Sequence, residues 1–485
     1  NNTNYLGNMP WNTSAKFLSS SLNSIRFFST RSAQSLRVCI VGSGPAGFYT
    51  ADKLLKSHED VTIDILDRLP TPFGLVRSGV APDHPETKVV TNQFTRIAED
   101  KRCSFFGNVV LGQSISLSEL KELYDVVVLA YGAESDRSLN IPGEHLSGIH
   151  SAREFVWWYN GHPDCANLNP NLFTTESAVI LGQGNVALDA ARILLRSKEE
   201  LCKTDIARHA FDVLKRSEIR KVFLVGRRGP AQAACTAKEL RELLGIRDLC
   251  IKINENDLLM SPKDEEEIKG SRIHRRIYEL LSKASSREVN GEKELHFVFF
   301  RRPALFSSAR NGSVSSVRLE KTNLQGAVGQ QVAIGTGECE DIECGFVLKS
   351  IGYKAVPVDG LPFDCKKGIV PNREGRVLSN TTSERGVYVC GWLKRGPSGI
   401  IGTNLYCAEE TVASVNDDIV NGIITPARSA GGVGLARVLD ERNVRYVPFS
   451  GWKVIDSEEI RVGMLTNKPR EKITSLKDML TTVSR

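Results

Sequence analysis

Residues 36–47 read LRVCIVGSGPAG, and they set the frame for the whole chain. LRVCIV has the length and the β-branched, apolar character of a short strand buried in a parallel sheet. The turn Gly42-Ser43-Gly44-Pro45-Ala46-Gly47 follows, then a helical pattern, FYTADKLLKS, and a second strand, VTIDIL, ending at Asp67. Strand, GxGxxG, helix, strand and an acid about 20 residues after the last glycine make up the dinucleotide-binding fingerprint. Its glycines permit the tight turn, the close approach of backbone to a pyrophosphate, and the packing of helix on strand. The helix N-terminus supplies amide donors and partial positive charge. Asp67 is placed to accept hydrogen bonds from ribose hydroxyls.

The pattern recurs further on. AVIL, starting at Ala178, leads into Gly182-Gln183-Gly184-Asn185-Val186-Ala187 and the helix pattern LDAARILLRS. This is GxGxxA, a variant of the same fingerprint. The next strand, KVFLV, ends in Gly226-Arg227-Arg228-Gly229-Pro230, with two arginines where the first unit has an acid. An acid would repel a ribose 2′-phosphate, whereas arginine pairs with it through a charge-assisted fork. The first unit therefore suits FAD and the second suits NADP. A solvated basic turn is the plainer reading of Arg227 and Arg228, and the fingerprint upstream weighs against it. The spacer from Ala187 to Arg227 is longer than usual and predicts an insertion.

Two more segments, YDVVVLAYGA at 124–133 and CGFVLKSIGY at 344–353, read as strands with a glycine exit, each followed by a proline-containing stretch. Such crossings suit the borders of a domain inserted into another. The expected map is a first domain of residues 36–138 and 355–485, with residues 139–354 inserted as the second.

Composition agrees with a globular protein. The chain has 485 residues, 41% hydrophobic and 25% charged, with a net charge of +6. That excess is too small to argue for nucleic acid, though it permits an acidic partner. No apolar run approaches the roughly 18 residues of a membrane span. The 11 cysteines include no CxxC pair. This argues against a disulfide framework, a zinc ribbon, a disulfide reductase and a clustered iron–sulfur subunit; no metal site is expected. Residues 1–35 contain Lys16, Arg26 and Arg31, many serines and no acid. That is the composition of an organellar transit peptide; a disordered tail is the alternative.

Six ordered motifs carry a resemblance: LVRxGVAPDHP from Leu75, GQGNVALD from Gly182, LVGRRGP from Leu224, KELRE from Lys238, SIGYK from Ser350 and GWxKRGPxGxI from Gly391. Together they resemble the adrenodoxin reductase family, the mitochondrial NADPH–ferredoxin reductases, from about Arg37 to the KPREK segment near the C-terminus. The resemblance implies an α/β fold of the glutathione-reductase-like flavoprotein type, with two doubly wound domains, the NADP domain lying inside the FAD domain. It implies FAD contacts at Ala46, Asp67, Leu75, Leu111, Trp392, Gly399, Ile400 and Ile401. It implies NADP contacts at Gln183 to Val186, Arg227, Arg228, Glu239 and Gly399. His84 and Asp189 match positions near the flavin, where a titratable group can handle protons; a turn hydrogen-bonder and an early-helix acid are the structural alternatives. Arg241, Arg272 and Arg276 match a basic docking surface for an acidic, adrenodoxin-like ferredoxin. A mitochondrial matrix location and a monomer that docks its partner transiently are also implied. Asp67 stands where the family more often has Glu, Trp392 where the wider superfamily has Asp, and GTNLYC after Ile401 departs from the family's small, Thr-rich run.

The implied chemistry needs no nucleophile, and no Ser/His/Asp set stands out. NADPH gives two electrons together and an iron–sulfur protein accepts one, a mismatch that a flavin bridges. A flavin-binding sensor that never turns over is the non-enzymatic alternative.

Overall fold

A computed structural model describes residues 35–484 apart from 288 and 428. The transit peptide expected within residues 1–35 lies, Ser35 aside, outside the described residues.

β1 (Leu36–Val41), α1 (Pro45–Ser57) and β2 (Val61–Leu66) form as the sequence predicts. β1 and β2 pair in parallel from Leu36↔Val61 to Val41↔Leu66. β3 (Cys103–Phe106) and β4 (Val126–Leu129) extend the sheet on either side. Strands in this sheet are buried on both faces, which is why they read as apolar runs rather than alternations. Val38, Ile40, Ile63 and Ile65 face Phe48, Ala51 and Leu54 of α1. Cys39, Val41 and Leu66 face the opposite layer, with Leu435 and Leu439.

The chain then crosses through β5 (Ser135–Asp136) into a second sheet containing β6 (Ile149–Ser151), β7 (Ser177–Leu181), β8 (Lys221–Val225), β9 (Leu249–Ile253) and β10 (Lys293–Val298). Its helices include α2 (Asn185–Leu195), α3 (Ala237–Leu244) and α4 (Arg272–Ser285). The long spacer after α2 holds short helices at Lys198–Leu201 and Arg208–Leu214. A three-stranded antiparallel sheet follows: β11 (Arg301–Ser308), β12 (Val314–Gln325) and β13 (Val332–Glu343). It covers one face of the second sheet, with Phe306, Val317 and Leu319 packed on Val179, Leu181 and Val225. Helices cover the other face, where Leu188, Ala191 and Leu195 of α2 meet Ile180 and Leu224.

β14 (Phe346–Lys349) inserts between β6 and β7, and β15 (Tyr353–Lys354) leads back. β15 pairs antiparallel with β5, so the outgoing and returning chains are tied where they cross. β4 and β14 are shorter than the sequence suggests, because their ladders stop where the neighbouring strands end, at Val41↔Leu129 and Leu181↔Lys349. β16 (Asn372–Arg373), β17 (Arg376–Ser379) and β18 (Thr382–Val389) complete the first sheet, in the order β16-β17-β18-β4-β1-β2-β3. The second runs β6-β14-β7-β8-β10-β9.

α5 (Thr403–Val420) packs on α1. α6 (Phe449–Met464) brings Trp452 edge-on to Phe73, with ring centroids 5.8 Å apart. Among the described residues, no helix is long and apolar enough to cross a membrane.

Candidate functional site

At the first glycine loop sterics fix the ends and leave the middle open. Gly42 has φ 113°, and a Cβ there would lie 2.3 Å from the Ala130 carbonyl oxygen. A Cβ on Gly47 would lie 1.9 Å from the Gly42 carbonyl oxygen. Around Gly44 only the Gly74 Cα comes near, at 3.9 Å. Among the described residues no side chain caps α1, whose first residue is Pro45. Uncapped amides beside an open backbone make a ready anion cradle. Asp67 is held in place beside it. Its Oδ2 accepts from Ser43 N at 3.0 Å and Ser43 Oγ at 2.5 Å, and its Oδ1 accepts from Leu69 N at 2.9 Å. Burial pushes its pKa above the usual carboxylate range, with the Ser43 and Leu69 bonds opposing.

Gly391 seats directly on this loop: a Cβ there would lie 2.5 Å from Ala46 Cβ. Trp392 follows, its ring 5.7 Å from that of Tyr353 on the returning chain. Gly399 has φ 84°, and Ile400 is 63% exposed beside half-buried Ile401 at the uncapped start of α5. Leu75 opens a short helix after Gly74, whose Cβ would meet Gly44 Cα at 2.9 Å. Leu111 packs partly against the outer layer of the first sheet. The GTNLYC run supplies the packing under this motif. Asn404 Oδ1 accepts from Arg395 Nη1 at 3.2 Å, and Cys407 Sγ accepts from Gly391 N at 3.1 Å. The Cys390 thiol, Lys394 and the Gly391 amide pull the Cys407 pKa down to about 6, against burial.

The second loop repeats the first. Gly182 has φ 129°, and a Cβ there would lie 2.2 Å from the Ser350 carbonyl oxygen, whereas nothing lies within 4 Å at Gly184. Gln183 turns inward: its Nε2 donates to Leu224 O at 3.0 Å and Val298 O at 3.4 Å. Its side chain thus ties the strand ends together. Asn185 Oδ1 accepts from Thr236 N at 2.8 Å, which locks α2 to α3, and Val186 packs against the core. Arg227 is exposed and Arg228 half-buried at the end of β8. Among the described residues, neither guanidinium has a hydrogen bond or ion pair.

Along α2 His84 and Asp189 enter one buried cluster organised by Arg192, a residue the sequence did not single out. Arg192 is fully buried on α2. Its Nε donates to Asp83 Oδ2 at 2.6 Å, and its Nη2 donates to Asp83 Oδ1 at 3.1 Å. Nη2 also lies 2.9 Å from Asp189 Oδ1, and Nη1 lies 3.5 Å from Glu239 Oε2. The His84 Nε2 is buried 2.5 Å from Glu242 Oε2 and 3.8 Å from Glu239 Oε2, without hydrogen-bond alignment to either. The i,i+3 spacing of Asp189 and Arg192 was visible in the helix pattern. Asp83 and Glu242 arrive from other segments.

Burial, aided by Glu239 and Asp83 and opposed by Arg192, pushes the Asp189 pKa up to about 7. The unfolded value is near 4. The folded state therefore binds the extra proton between these values, and stability falls as pH rises through that window. Replacing Asp189 with Asn removes this dependence. The melting temperature of Asp189→Asn relative to the parent should rise from pH 5 to pH 8, and a pH-independent difference would refute the assignment.

Arg241 on α3 and Arg272 and Arg276 on α4 are exposed, on two helices that pack against each other. Arg276 Nη1 lies 3.4 Å from exposed Glu279.

Residues 36–223 match the family described as pyridine nucleotide-disulphide oxidoreductase. Over 468 residues the chain is 63% identical to the mitochondrial NADPH:adrenodoxin oxidoreductase of Arabidopsis thaliana, covering 94% of this chain and 97% of that protein. The chain belongs to the NADPH:adrenodoxin oxidoreductase family. The Homo sapiens member is 44% identical over 464 residues, covering 93% of each chain. A solved structure, Mycobacterium tuberculosis FprA in complex with NADPH, matches with a TM-score of 0.88 and 39% identity, covering 93% of this chain and all of that one. The α/β fold expected from the sequence is thus that of the pyridine nucleotide-disulphide oxidoreductases, and it is FprA-like.

Proposed function

We propose that this mitochondrial enzyme is an NADPH:ferredoxin reductase that carries electrons from NADPH through FAD, one at a time, to an adrenodoxin-like two-iron two-sulfur ferredoxin. The observation that carries the reading is the contrast between the two loops: an oriented Asp67 at the first, two unpaired arginines at the second. FAD, when bound, supplies the conversion of a hydride into single electrons. The open backbone at Gly44 and the uncapped α1 suit its pyrophosphate, Asp67 its ribose, and the Gly391-to-Ile401 segment its ring. The open backbone at Gly184 and the free Arg227 and Arg228 suit NADP. His84 and Asp189 are the groups available to hold a proton between the two sites. Residues 36–138 with 355–485 are assigned to the FAD domain and 139–354 to the NADP domain. Residues 1–35 are assigned to a transit peptide that delivers a monomer to the matrix.

Arg241, Arg272 and Arg276 are assigned to ferredoxin docking. Charges at an interface rim act mainly on encounter rate and salt dependence. Replacing both Arg272 and Arg276 with Glu should slow ferredoxin reduction sharply at low ionic strength. The loss should shrink towards 1 M salt, where the Debye length is about 3 Å. Reduction of a small acceptor at the flavin should stay unchanged. Equal loss with the small acceptor, or no loss at low salt, would place docking elsewhere.

A further inference from the structure

The insertion between α2 and β8 plays no part in the function described above, yet it encloses a cavity of about 210 Å³. Arg196, Lys198, Lys215, Arg220 and Lys293 line it, over an apolar floor that includes Leu194, Phe211 and Leu214. Among the described residues Glu292 is the one carboxylate in the lining. Lys215 and Arg220 have partners on the outer surface, Asp212 at 2.5 Å and Glu218 at 3.4 Å. The other cations are less well matched. Among the described residues Lys198 has no hydrogen bond or ion pair. Among the described residues the buried Nε of Arg196 has no partner, and Nη1 reaches Asp83 only at 3.4 Å. Lys293 Nζ donates to the backbone carbonyls of Leu195, at 2.8 Å, and Arg196, at 3.5 Å, and among the described residues to no carboxylate. Burial first, then the positive charges of Arg220 and Lys198, depress the Lys293 pKa, with Glu199 opposing. Like charges are therefore crowded around a space that only one lining carboxylate offsets.

The cavity is separate from the nucleotide loops. β8 starts at Lys221 and β10 at Lys293, so it lies at the edge where the strands begin. The glycine loop and Arg227 lie where they end, and five residues of strand span roughly 16 Å. Ligand pockets are usually about 300 Å³ or larger, so this one suits a small ion rather than a second nucleotide.

We propose that this cavity binds a small phosphate-type dianion, held by Arg196, Lys198 and Lys293 with Lys215 and Arg220 at its mouth. Guanidinium and ammonium donors are the groups that recognise such oxyanions. The test is isothermal titration of the full, FAD-loaded chain with its coenzyme site saturated by NADP+, in phosphate-free buffer. Inorganic phosphate is the first probe and glycerol phosphate the second. Saturable binding of either supports the site. Tighter binding of glycerol phosphate identifies an ester as the ligand, and equal binding identifies free phosphate. Lys198→Glu changes an exposed, unpaired residue and should weaken binding by about tenfold or more, with NADPH oxidation unchanged. Lys293→Met should act in the same direction. The proposal is overturned if the NADP+-saturated parent shows no saturable binding, or if binding survives both substitutions unchanged.

Discussion

Replacing Arg227 and Arg228 together with alanine should lower kcat/KM for NADPH steeply while leaving NADH nearly unaffected. Both guanidiniums stand at the end of β8 with no protein partner among the described residues. Their charge is therefore available to a ligand, and among the described residues no side chain pairs with it. A hydrogen bond to a charged group contributes about 1.5–3 kcal/mol. Each lost contact then reduces kcat/KM by roughly ten- to a hundredfold. NADH has no 2′-phosphate and loses none of this. Steady-state kinetics with both coenzymes measures the ratio, and equal losses would remove the phosphate role from these residues.

Replacing Glu459 with alanine should destabilise the protein more than any change at the surface. Glu459 lies on α6 and is 0% exposed. It accepts from Arg77 Nη1 at 2.9 Å and Nη2 at 2.6 Å, from Arg470 Nη1 at 3.2 Å and from Ile473 N at 2.9 Å. Arg77 follows the Gly74 turn that touches the first glycine loop, so the network fixes the C-terminal segment to the first nucleotide site. Removing one member of a buried pair leaves the other charge uncompensated, at a cost of about 3–5 kcal/mol. Burial alone would raise the Glu459 pKa, but Arg77 and Arg470 hold it below the usual range. A depressed carboxylate contributes stability above its unfolded pKa, near 4.3, that is lost as pH falls through the folded value. Glu459→Ala should therefore lower the melting temperature at neutral pH, and the difference from the parent should narrow in acid. A neutral-pH loss under about 1 kcal/mol would contradict the account.

Both glycine loops could be read from the sequence because their constraints are local. Gly42, Gly44 and Gly47 act within one turn, and the strand on each side is an uninterrupted apolar run. The arginine-for-acid exchange at the second strand end was legible for the same reason. Contacts between segments far apart in the chain were not. Arg192 reaches Asp83 across 109 positions, and Arg77 reaches Glu459 across 382. Nothing in the local pattern of either partner names the other. The antiparallel β11–β13 layer was missed because its function as a lid on the second sheet is settled by packing. Cys407 lies in the run that departs from the family's pattern, and the contact that gives it a place, its sulfur accepting from the Gly391 amide, spans 16 positions and is not legible locally.

Electron transfer through the flavin to a ferredoxin is what defines the proposed function. Cytochrome c reduction by the FAD-loaded enzyme with NADPH, measured with and without a mitochondrial-type ferredoxin, tests this in a single assay. A slow basal rate that rises and saturates with added ferredoxin is the predicted result. A rate that does not change with ferredoxin at any concentration would contradict it.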